Sequence, residues 1–112
     1  MLFEKARKYS ALKSILYYFD EEVLDDEQPL YGIYKALEAI ISYYQETYKL
    51  SETEARKKVA ALAGQPLSYI NDVIQTTQVK RHHKTLARRK LDDNECRNRA
   101  HLLIDLFARS LP

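Results

Sequence analysis

LYGIYKALEAIISYYQETYK, residues 30–49, decides the fold class. Leu30, Tyr34, Leu37, Ile41, Tyr44 and Tyr48 recur at alternating steps of four and three, and Ile33, Ile40 and Tyr43 widen the stripe. That is the period of a helix and not the alternation of a strand. A helix apolar over so much of its circumference belongs at the centre of a bundle or against another subunit. The reading predicts a helix from Leu30 to Lys49.

The same period recurs on either side. Tyr9, Leu12, Leu16, Phe19 and Val23 predict a first helix over 2–24. Asp25, Asp26, Glu27, Gln28 and Pro29 end it, since acidic residues oppose the dipole of a helix C-terminus and the residue before proline leaves the α region. Downstream, Ser51-Glu52-Thr53-Glu54 has the form of a capping box. It opens a short helix that should stop near Gly64. Pro66 suits a first turn, and Leu67, Ile70, Val73, Ile74 and Thr77 trace the next helix. The β-branched Thr76, Thr77 and Val79 should weaken its end. Asp92 and Glu95 repeat the capping pattern before a last helix that should bury Cys96, Ala100, Leu103, Phe107 and Leu111.

These segments predict an all-α bundle of four or five mainly antiparallel helices, joined by short connections into one domain over 1–112. The composition agrees. With 112 residues, 46% hydrophobic and 30% charged, the chain is globular in character and long enough for one modest core. Two Gly and three Pro are too few for many short strands and turns. No unbroken apolar run exceeds the five residues of 15–19, so a membrane span is not expected. Glu4, Lys5, Arg7 and Lys8 stand where a signal peptide would need apolar residues, which points to the cytoplasm. The single cysteine excludes an internal disulfide and a thiolate metal cage.

Charge is distributed unevenly. Residues 1–60 hold nine Lys and Arg against eleven Asp and Glu, and residues 61–112 hold nine against five. Eight of nine tyrosines lie in the first half. An acidic, aromatic half thus precedes a basic one, which implies two differently used surfaces. Tyr31, Tyr34, Tyr43, Tyr44 and Tyr48 offer more aromatic surface than one helix of a small bundle usually buries, so a two-fold homodimer is expected, with a small protein as another partner for that face.

The basic half has a focus. Residues 80–90 contain Lys80, Arg81, Lys84, Arg88, Arg89 and Lys90, with His82 and His83 and no acidic residue. Such a concentration attracts RNA or another polyanion by releasing its counterions. The plainer alternative is a solvated connection between helices. Adjacent histidines point about 100° apart on a helix, so a shared metal is not expected. His82 or His83 could instead move a proton near neutral pH, with Arg81 stabilising phosphoryl charge, which makes these three the candidate catalytic residues of a ribonuclease. Arg97, His101, Asp105 and Arg109, at four-residue spacing, read first as a ladder of ion pairs and second as an Arg–His pair oriented by Asp105. The acidic residues over 20–27 lack the spacing of a calcium loop. There is no phosphate-binding glycine loop, nucleophile elbow or paired-carboxylate signature, so no cofactor is expected.

The order of these parts resembles a known group. LYGIYKALEA, residues 30–39, looks like a helix opening of small helical bacterial proteins. There it is followed by a short helix, a helix ending in Arg-His as at Arg81-His82, and a capped last helix as over 91–111. Across residues 30–111 the layout is similar to the HEPN group of helical domains. The resemblance implies a dimer, and many members are metal-independent ribonucleases that use an Arg and a His at a set spacing. This chain departs from that spacing, because Arg81 adjoins His82 and three residues separate Arg97 from His101. The expectation is therefore a non-catalytic or degenerate member that binds RNA or another polyanion through residues 80–90.

Overall fold

The computed structural model describes Tyr9, Lys13, Ile15 and residues 31–81 and 91–111, with backbone alone at Tyr31 and over 78–81. The expected helix over 2–24 lies outside the described residues, except that Lys13 and Ile15 are helical, Ile15 is fully buried in the core and Tyr9 packs partly against it. Among the described residues there are four principal helices and no strand: α1 (Tyr31–Tyr48), α2 (Glu52–Leu62), α3 (Ser68–Arg81) and α4 (Asp93–Ser110). They form an all-α bundle in which every helix touches the other three.

The boundaries follow from local chemistry. α1 stops at Tyr48 because Lys49 adopts the left-handed conformation, with φ 56°, and the Leu50 N–H donates back to the Gln45 carbonyl at 3.2 Å. This closure usually employs glycine; lysine fills the position here, and sequence gives no sign of it. Three residues on, the capping box forms as expected. The Glu54 N–H donates to Ser51 Oγ at 3.1 Å, and the Ser51 N–H donates to Glu54 Oε1 at 3.4 Å. α2 ends in the same closure as α1, now with glycine: Gly64 has φ 65°, its N–H reaches the Ala61 carbonyl, and the Gln65 N–H reaches the Ala60 carbonyl. Nothing lies within 4 Å of where a Gly64 side chain would begin, so glycine is required there by backbone conformation and not by crowding. Asp92 caps α4, accepting from the Glu95 N–H at 2.7 Å.

The buried face of α1 differs in one respect from the expected stripe. Ile33, Ala36, Leu37, Ile40, Ile41 and Tyr44 are buried, Tyr34 and Tyr43 are half-buried, and Tyr48 is 52% exposed. Aliphatic side chains take the centre of the face and the tyrosines flank it, because a phenol hydroxyl must keep a hydrogen-bond partner. Ala55, Val59 and Ala60 meet this face from α2, and Ile70, Val73 and Ile74 from α3. All five residues expected inside the last helix are buried, including Cys96.

α3 also runs further than its β-branched residues suggest. Thr76 and Thr77 are both buried and stay helical, because Thr76 Oγ1 donates to the Asp72 carbonyl and Thr77 Oγ1 to the Ile74 carbonyl, each at 2.8 Å. A buried hydroxyl without a partner would destabilise the helix; satisfied by its own preceding turn, it packs like valine. The helix therefore continues to Arg81, into the basic segment.

Aromatic rings close the core where α1 and α4 meet. Phe107 is fully buried and lies edge-on to Tyr43 and Tyr44, with ring centroids 5.2 and 5.7 Å away. Burial pushes the Tyr44 hydroxyl above the usual tyrosine range, and a hydrogen bond with Ser110 opposes this. A raised value means that the fold favours the neutral phenol. Its stabilising contribution is complete below pH ~10 and is lost as pH rises through the folded-state value. Denaturant unfolding at pH 8 and pH 11 should show the wild type losing more stability over this interval than Tyr44→Phe. Equal losses in the two proteins would show that Tyr44 contributes nothing to the alkaline limb.

Candidate nucleic-acid interface

Helix α3 sets the position from which the basic segment departs, and two arginines hold α3. Arg56 of α2 donates from Nη2 to Glu52 Oε1 at 2.7 Å and from Nη1 to Asn71 Oδ1 at 3.2 Å. Arg99 of α4 pairs through Nε with Glu95 Oε1 at 2.8 Å and donates from Nη1 to the Tyr69 carbonyl at 3.1 Å. Its guanidinium also lies 4.5 Å from the centroid of the Tyr69 ring. Each arginine thus ties a neighbouring helix to the first turns of α3. The planar fork of arginine suits this, since one side chain can serve an ion pair and a second acceptor together. Neither tie was expected. The sequence did carry a partial sign, a glutamate four residues before each arginine, which favours the helical pair but does not announce the bond to the next helix.

Lys80 and Arg81 form the last backbone turn of α3. Cations suit that end, where the helix dipole is negative. The remaining candidates, His82, His83, Lys84, Arg88, Arg89 and Lys90, lie outside the described residues, and the chain is described again from Leu91, just ahead of the Asp92 cap. The two flanks of the segment are thus the end of a helix pinned by Arg56 and Arg99 and the capped start of another.

Of the ladder expected on α4, the Asp105–Arg109 rung is present, with Arg109 Nε 3.1 Å from Asp105 Oδ2. Both side chains are more than half exposed, so the pair adds little to stability. His101 is exposed on the same helix and Arg97 is half-buried. Among the described residues no group of three or more His, Cys, Asp or Glu could hold a metal ion. No described helix is long and apolar enough to cross a membrane.

The tyrosines that motivated a dimer are largely used within the chain. Tyr44 is buried, and Tyr34 and Tyr43 pack against the core, which leaves Tyr48 as the prominently exposed one among those whose side chains are described. Its ring stacks on Tyr44 with centroids 5.8 Å apart and planes inclined by 22°, and the Lys58 ammonium lies 4.9 Å from its centroid. Tyr34, Glu38, Gln45, Glu52, Arg56 and Ile74 line a small open cleft between α1, α2 and α3. The Nε of Arg56 is buried without a hydrogen-bond partner. Comparison of the chain with protein-family models, with curated proteins and with solved structures gave no match.

Proposed function

We propose that this protein is a non-catalytic, HEPN-like helical module that binds RNA or another polyanion through residues 80–90. The observation that supports the reading most is the concentration of charge: six Lys and Arg with no acidic residue, over eleven positions. The segment begins on α3, a helix whose first turns Arg56 and Arg99 tie to α2 and α4. We further propose that the protein acts in the cytoplasm and that two copies associate. The observation that favours association is the richness of the first half in tyrosine, with eight of the nine.

The test is a titration of a fluorescent, unstructured RNA with the full chain at low salt, alongside a degradation assay. The reading predicts binding without cleavage. His82→Ala and His83→Ala should each leave affinity nearly unchanged, because a phosphate contact made by the six Lys and Arg does not need them. Cleavage by the wild type that is lost in either variant, with binding retained, would assign a ribonuclease with Arg81, His82 and His83 as its catalytic residues. A general acid or base contributes about 10²–10⁴-fold to rate and little to affinity. Absence of binding at low salt would leave the segment a solvated connection and turn attention to the Tyr48 face and a protein partner.

A further inference from the structure

We infer that Tyr48 is a stacking platform for an unpaired base, so that the polyanion is a single-stranded nucleic acid. The inference rests on the proposed polyanion binding and adds a second contact surface to it. Tyr48 is the most exposed large hydrophobic side chain among the described residues, at 52%, and it is not loose. Tyr44, anchored in the core, stacks on it and fixes the ring orientation. A ring held in this way gives up little entropy when a base joins the stack.

The charge around the ring fits the same occupant. Lys58 holds its ammonium 4.9 Å from the ring centroid. Lys49 follows Tyr48 in the chain and Lys57 precedes Lys58, and both are exposed. Of the acidic residues nearby, Glu54 is engaged by the capping box and Glu46 remains exposed. An incoming strand can exchange the cation over the ring for a base, while Lys58 moves to a phosphate. This combination of an aromatic face with flanking cations is how single strands are held without sequence readout, because every base has a π-face. A duplex keeps its bases stacked on one another and offers the ring nothing.

Tyr48 ends α1 and Arg81 ends α3, two helices that pack against each other.

The experiment compares an unstructured oligouridylate with an RNA duplex of equal length, by fluorescence anisotropy at low salt. Tyr48→Ala should weaken oligouridylate binding by about five- to a hundredfold and leave duplex binding unchanged. Tyr48→Phe should retain oligouridylate binding, since stacking needs the ring and not the hydroxyl. Circular dichroism should show unchanged helix in both variants, as expected for an exposed position. If Tyr48→Ala binds the oligouridylate as the wild type does, while reversal of charge at Lys80, Arg81 and Lys84 abolishes binding, the platform is overturned and the polyanion reading stands. If the wild type binds duplex as tightly as single strand, the platform is likewise overturned. If the wild type binds neither, both fall together.

Discussion

Phe107→Ala should lower the free energy of unfolding by about 3–5 kcal/mol. Phe107 is fully buried and touches two aromatic neighbours edge-on, at centroid distances of 5.2 and 5.7 Å. Truncation removes the transfer energy of the ring and leaves a cavity between α1 and α4 that Tyr43 and Tyr44 fill only by losing their own packing. A domain of this size has about 5–15 kcal/mol in total, so the variant should unfold at much lower urea and sit near its stability threshold. Asp105→Ala, on the exposed side of the same helix, should change stability by no more than about 0.5 kcal/mol. A Phe107→Ala variant as stable as Asp105→Ala would mean that the α1–α4 seam is not where the core is closed.

Reversing three charges, with Lys80→Glu, Arg81→Glu and Lys84→Glu together, should weaken RNA binding by at least about a hundredfold at low salt. The change removes half of the six cations of the segment and places three anions against the phosphates. At positions 80 and 81 it also sets carboxylates at the negative end of the α3 dipole, which costs a few tenths to about 1 kcal/mol each in stability. A second variant, with Gln at the same three positions, avoids that penalty. It should bind more weakly than the wild type and more strongly than the Glu variant. Equal binding by all three proteins, with the helical spectrum intact, would place the polyanion elsewhere on the molecule.

Much of this fold can be read from sequence because its signals are local. The stripe in residues 30–49 specifies a helix before any contact is known, and Ser51 with Glu54, Gly64, and Asp92 with Glu95 mark ends that the structure reproduces. The departures have physical causes that spacing cannot express. Lys49 takes a left-handed conformation because closing α1 provides a backbone hydrogen bond from Leu50 that offsets its strain. α3 survives its two threonines because each hydroxyl finds a carbonyl one turn back. The division of the tyrosines into buried Tyr44, half-buried Tyr34 and Tyr43 and exposed Tyr48 depends on what faces them from the other helices, and neighbours distant in sequence leave no local mark. The ties from Arg56 to Asn71 and from Arg99 to Tyr69 were hidden for the same reason. For the candidate site, sequence gives the charge and the structure gives the end of α3 from which it departs, with Arg81 its last helical residue.

The central claim is electrostatic, and the dependence of RNA affinity on salt tests it most directly. If all six Lys and Arg of residues 80–90 meet phosphates of a single strand, the logarithm of affinity should fall against the logarithm of salt with a slope approaching about −4. Between 50 and 200 mM salt that is a loss of about 300-fold. The variant with Gln at positions 80, 81 and 84 should show about half that slope. A wild-type slope near zero, or one that the three substitutions leave unchanged, would contradict the account.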